Sequence, residues 1–285
     1  MAPRTTIARS VTVTGIALHA GVPVTMTLEA RGAGEGVVFR RADLGGAEIP
    51  ARYDHVGETR LGTVIEKDGA SVGVVEHLMA AVAGAEIDDL TVTLNGPEPP
   101  ILDGDALSYG ALLEQAGRQA QSATRQGIKV LKEIVVDDGK ARAALLPATG
   151  LSYHLEISFP SAAIGTQRFD FEFSREGFAR DIAPARTFGF LHELAYLKSI
   201  DRGHGASLEN TLAIDGDTVR NRELMRFPDE FVRHKILDAI GDMALAGAPL
   251  IARFEGSRSG HGSNNALLRK LFSDPGNYEI VTLPG

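Results

Sequence analysis

The chain has no cysteine among its 285 residues. That excludes disulfides and cysteine-rich zinc sites, so any metal must be held by histidine and carboxylate side chains. The absence also suits a reducing compartment, and the expected location is cytoplasmic. Long apolar runs are missing too: no stretch approaches the roughly 20 residues of a membrane span. The opening residues Met1-Ala2-Pro3-Arg4-Thr5-Thr6-Ile7-Ala8-Arg9 lack the apolar segment of a signal peptide. Positive charge is in short supply. The net formal charge is -8, which argues against a nucleic-acid surface as the main business.

What remains is a chain able to bury a sizeable core, with 44% hydrophobic and 23% charged residues. Its glycines and prolines are spread along its length, which suits a turn-rich α+β protein of one large or two ordinary domains.

The most informative stretch runs from Phe227 to Asp242. A proline near its start and acidic residues in its first turn predict a helix. At about 100° per residue, His234, Asp238 and Asp242 share one narrow arc, with Phe231 and Lys235 beside them. Val232, Ile236, Leu237, Ile240, Met243 and Ala244 take the opposite arc. Taken alone, the polar stripe reads as a solvated face. The sharper reading is that His234 and Asp238, at i and i+4, are two ligands of one metal.

In chain order, residues 10 to 30 alternate as a β-hairpin, with His19 in its turn region, and short strands follow to residue 66. The period then changes. Ser71 to Gly84 is predicted as a helix ending on glycine, with Glu76-His77 near its start. A strand at Leu90–Leu94 and a turn-rich loop at Asn95–Gly104 come next, then a helix from about Ser108 to Ala116. The polar stretch Gly117–Gly127 has no strong period and is expected to be a linker. It separates an N-terminal α+β domain, residues 1–122, from a C-terminal one, residues 127–285. The second half again places strands before helices, and a last helix is expected to be capped at Ser263 or Asn264.

Of the eight histidines, His55, His154, His192 and His204 lack a carboxylate pattern nearby and read as surface residues. His77, His234 and Asp238 could form a two-histidine, one-carboxylate zinc site with an open fourth position. Glu76 is then adjacent to a ligand, placed to take a proton from water. His261, between Gly260 and Gly262, has a backbone that lets a substrate approach closely. No His-Glu-x-x-His helix is present, which excludes a generic zinc protease.

The blocks Val75–Leu78, Asn95–Gly104, Ala185–Phe190, Phe231–Asp242 and Ser259–Asn265 together resemble the UDP-3-O-acyl-N-acetylglucosamine deacetylases, the zinc enzymes of lipid A synthesis. They occur in that family's order, and the resemblance runs from about Gly15 to Val281. It implies two similar two-layer α+β sandwich domains, packed with helices inward and the site between them. It places the zinc ligands on His77, His234 and Asp238, with Fe2+ an alternative ion at such a site. The general base falls on Glu76. The protonated histidine that steadies the oxyanion and protonates the leaving amine falls on His261, backed by Asp242. Thr187 matches the oxyanion hydrogen-bond donor, Phe188 and Lys235 match substrate contacts, and His19 matches a site-lining histidine. Phe190, Leu191, Leu194 and Leu197 belong to the insert that forms the acyl passage. Arg60 and Gly62 depart from other members of the family and bear on acyl-chain preference.

The implied reaction is hydrolysis of the N-acetyl group of an acylated UDP-sugar, by a monomer whose partner is that small molecule. Two alternatives compete with it. A metal-stabilised binding protein would need the three ligands but not Glu76 and His261 together. A phosphoesterase usually requires two metals.

Overall fold

The computed structural model covers Met1–Gly285. It contains two principal sheets with helices between them. The first has five strands in the order Val11–Ile16, Pro23–Ala30, Leu90–Leu94, Val37–Arg41 and Ala47–Pro50. Its alternation is clean at Pro23–Ala30, where Val24, Met26 and Leu28 are buried and the threonines between them face outward. The outward threonines pair across the strands, Thr12 with Thr27 and Thr14 with Thr25.

The second sheet has seven strands. Its axis is Leu250–Ser257, which pairs antiparallel with Arg142–Leu146 and parallel with Gln126–Val130 and Leu151–Ser158. The mixed α+β character expected from the sequence is the one observed. A separate three-stranded sheet, Phe188–Phe190, Leu212–Asp215 and Thr218–Val219, carries a short helix at Leu194–Ser199.

Three expectations are corrected. Gly117–Gly127 is not a free linker. Arg118–Thr124 is a strand paired antiparallel with Pro3–Ile7, and Gln126 begins a strand of the second sheet. The pairing leaves Arg118–Thr124 largely solvated on both faces, so no apolar period marks it. Ser71–Val75 is not helical either: Ala70–Val72 is a strand, Val74 takes φ +53°, and the helix begins at Glu76. The last helix starts at His261 with Gly260 as its N-cap, before the predicted caps.

The helix Glu230–Ala244 is the centre of the packing. It contacts strands Leu151–Ser158 and Thr166–Glu172, the helix His261–Phe272 and, across the middle of the molecule, the helix Glu76–Gly84. One continuous apolar cluster of 57 buried residues extends through both sheets and all these helices. The polar stripe is not a solvated face. His234, Asp238 and Asp242 are 2%, 4% and 2% exposed because the Glu76 helix lies over them.

The crossing depends on Gly241. A Cβ there would fall well inside contact distance of the Glu76 carbonyl oxygen and carbon. Backbone faces backbone, so the obstruction has no flexible end to move. Gly241→Ala is expected to cost about 1–3 kcal/mol through overpacking and to lower the melting temperature by several degrees. A thermal-unfolding curve identical to that of the wild type would contradict this account of the crossing.

Candidate active site

His234 is fixed by its far nitrogen. Nδ1 donates to the carbonyl of Ala185 at 3.1 Å, which leaves the Nε2 lone pair free and directed at Oδ1 of Asp238, 3.4 Å away. His77 comes from the other helix. Its Nε2 lies 3.5 Å from the same Oδ1, and the two rings stand edge to face with centroids 4.9 Å apart. Oδ1 itself has no hydrogen-bond partner, although it is buried.

Three donor atoms therefore converge within 4.8 Å of one another. A buried acceptor facing two imidazole nitrogens is costly unless something positive lies between them. The donor set fits a single divalent cation held by His77, His234 and Asp238. Burial pushes the His234 imidazole down to about 3, which keeps it neutral, as a ligand must be. Burial also works against charge on Asp238, but the Lys235 ammonium outweighs it and holds the carboxyl well below its ordinary range. Lys235 Nζ donates to Asp238 Oδ2 at 2.6 Å, which orients Oδ1 towards the histidines.

Glu76 and His261 flank this cluster. Burial raises the Glu76 carboxyl, with the charge of His261 acting the other way. Its Oε2 accepts from the backbone N–H of Thr63 at 3.0 Å. His261 sits at the first position of its helix, and its Nε2 is 3.9 Å from Glu76 Oε1. Its Nδ1 donates to Asp242 Oδ2 at 2.9 Å. Burial disfavours the imidazolium, but Asp242 and Glu76 prevail and raise His261 to about 9.

A cavity of about 410 Å³ opens onto these groups. Every site residue named from the sequence lines it except Asp242, which stands behind His261. Thr187 and Phe188 line it together with the histidine–aspartate cluster, and Phe190, Leu191, Leu194 and Leu197 contribute to its apolar lining. His19 lines the cavity with Nε2 on the carbonyl of Leu61 at 2.9 Å. Two of the set-aside histidines do have carboxylate partners, His154 with Asp170 and His204 with Asp201. Asp170 and Asp201 are largely solvent-exposed and neither pair lines this cavity.

Several buried polar residues escaped the sequence reading. Thr63 Oγ1 donates to Asp242 Oδ1 at 2.6 Å, and Asn264 Nδ2 donates to Oδ2 at 2.9 Å. Glu98 accepts from the backbone N–H groups of His19 and Ala20. Glu230, fully buried, accepts from the Arg186 backbone N–H at 3.0 Å and ties the Ala185–Thr187 segment to the central helix. Their contacts to the site have no local pattern, because each reaches a segment distant in sequence, although Glu230 also accepts from the backbone N–H groups of Arg226 and Phe227 just before it. The one available signal was a charged residue inside an apolar or proline-rich stretch, as at Pro97-Glu98-Pro99.

A mononuclear donor set with a carboxylate on one side and a cationic imidazole on the other has the parts of a metal-assisted hydrolase. The chain matches the LpxC family model, UDP-3-O-acyl N-acetylglycosamine deacetylase, over residues 4–273, and it belongs to that family. It is similar to the UDP-3-O-acyl-N-acetylglucosamine deacetylase of Aliarcobacter butzleri, with 44% identity over 280 residues, 98% of this chain and 92% of the relative. The proteins of that name from Myxococcus xanthus and from a Nitratiruptor species are each 45% identical. They align over 97% of this chain and over 88% and 92% of their own lengths.

If the three converging donors form the metal site, Asp238→Ala should weaken divalent-ion binding by more than about 100-fold, beyond the usual cost of losing an outer-shell partner. Titration of metal-free protein followed by elemental analysis measures this. Undiminished stoichiometric binding by the variant would contradict the assignment.

Proposed function

We propose that this protein hydrolyses the N-acetyl group of UDP-3-O-acyl-N-acetylglucosamine and releases acetate, a step of lipid A biosynthesis, with zinc held by His77, His234 and Asp238. Fe2+ would satisfy the same ligands. One observation carries the reading. The converging lone pairs of His77, His234 and Asp238 are flanked by a carboxylate and a raised-pKa imidazole, in a cavity with a largely apolar lining. Family membership supplies the substrate class.

Bound there, a divalent ion supplies Lewis acidity: it lowers the pKa of water and polarises a carbonyl. The remaining chemistry belongs to side chains. Glu76 accepts the proton of the attacking water. Thr187 and the His261 imidazolium face the oxygen on which negative charge develops. His261 then gives its proton to the departing glucosamine nitrogen, and Asp242 keeps that proton available through Nδ1. Lys235 and Phe188 contact the sugar nucleotide, His19 lines the site, and the wall from Phe190 to Leu197 receives the acyl chain. Glu76 and His261 together favour a catalyst over a binding protein; Glu76, Asp238 and His261 also converge, but a histidine raised to about 9 suits a proton donor and not a second metal's ligand.

Acetate release measured with and without a chelator tests the reading, and a chelator-insensitive activity would contradict the metal's role. Glu76→Ala and His261→Ala should each lower kcat by about 10²–10⁴-fold while retaining metal. The pH profile follows from the two shifts. His261 acts as an acid, so kcat/KM should fall as pH rises through about 9, where it loses its proton. Glu76 acts as a base, so activity should also fall on the acid side, where its raised carboxyl gains one. The alkaline fall should be absent in His261→Ala. Its persistence there would assign the acid elsewhere.

A further inference from the structure

Thr63 addresses the base, Glu76, and the carboxylate behind the acid, Asp242, through different atoms. Its backbone N–H donates to Glu76 Oε2 at 3.0 Å, and its hydroxyl donates to Asp242 Oδ1 at 2.6 Å, across 179 residues of sequence. It is buried. The segment before it is shaped for this task. Leu61 takes φ +66° and Gly62 takes φ +150°, which turns the chain around the Glu76 carboxylate. A side chain at position 62 would meet Glu76 Oε1 at 3.0 Å.

Asp242 is the only carboxylate bonded to His261, and its two oxygens are shared differently. Oδ2 receives His261 Nδ1 and Asn264 Nδ2, both from the last helix. Oδ1 receives Thr63 alone, from the other sheet's side of the interface. Without that bond the carboxylate can rotate about its χ2, and Oδ2 is no longer held towards the imidazole. A charge-assisted hydrogen bond in a buried site is strong enough to fix such a rotor.

We propose that Thr63 is a positioning residue for the deacetylation: its hydroxyl locks Asp242, and through Asp242 the imidazole of His261, in register with Glu76. The inference rests on the functional reading above. It makes the alignment of base and acid a property of the interface between the two halves of the chain.

The test compares wild type, Thr63→Val and Thr63→Ser in steady-state acetate release, with metal content and melting temperature recorded for each. Both variants keep the backbone bond to Glu76; Val replaces the hydroxyl by a methyl group, and Ser keeps the hydroxyl and loses the methyl. Thr63→Val should lower kcat about 10- to 100-fold with KM changed less than about twofold, as expected for a lost charge-assisted bond felt in the transition state. Thr63→Ser should restore kcat to within about threefold. Independently of turnover, the downfield proton resonance of His261 Nδ1–H should move or broaden in the Val variant and persist in the Ser variant. A folded, metal-loaded Val variant with wild-type kcat and an unmoved resonance would overturn the proposal. Should the Val variant fail to fold, Thr63→Ser decides: tenfold loss in a folded, metal-loaded Ser protein also overturns it. Wild-type protein that releases no acetate would instead overturn the deacetylase reading itself.

Discussion

The close crossing of two helices at Gly241 and Glu76 is the constraint on which the site depends. Only a residue without a side chain lets the Glu76 backbone lie against the central helix. That approach places His77 beside His234 and Asp238, and it buries the polar stripe that would otherwise face water. The apolar core runs continuously through the crossing, so the energy of burial that holds the fold together also holds the ligands against one another. The convergence of the three ligands is therefore a consequence of helix packing, and the loops at Leu61–Thr63 and Ala185 orient the side chains it brings together.

Burial at the crossing separates the chemistry of two imidazoles in one cavity. His234 is driven towards neutrality, down to about 3, because it is desolvated beside another histidine and a lysine. His261 is also largely enclosed, yet it rises to about 9 because Asp242 and Glu76 surround it with negative charge. One becomes fit to hold a cation and the other to donate a proton. Lys235 supports the first of these: it bonds one oxygen of Asp238 and leaves the other facing the two imidazoles. Behind them, the polar atoms of Thr63, Asn264, Glu98 and Glu230 orient the groups that line the cavity.

Much of this was legible in the amino-acid sequence, and for physical reasons. The 3.6-residue period of Glu230–Ala244 placed His234, Asp238 and Asp242 on one face, because helical geometry is local. What that face touches is not local, and the solvated reading failed when a second helix proved to cover it. Val72 to Val75 read as helix because an apolar run is ambiguous between strand and buried helix, and a positive φ at Val74 has no signature in a β-branched residue. Arg118–Thr124 was hidden for the opposite reason: a solvated paired strand has no apolar alternation to detect. Thr63 was invisible as a functional residue, since its partners lie on other helices. The assignment of roles within the site came from family-like motifs, while the sequence pattern alone supported only a candidate metal site.

The central claim is that both halves of the chain meet over one metal ion. Crystals of zinc-loaded protein, measured on either side of the zinc absorption edge, test it most directly. The account predicts one strong anomalous peak, about 2.0–2.2 Å from His77 Nε2, His234 Nε2 and an oxygen of Asp238, with Glu76 and His261 beside it. A peak bound by residues of one half alone, or no peak among these three side chains, would contradict it.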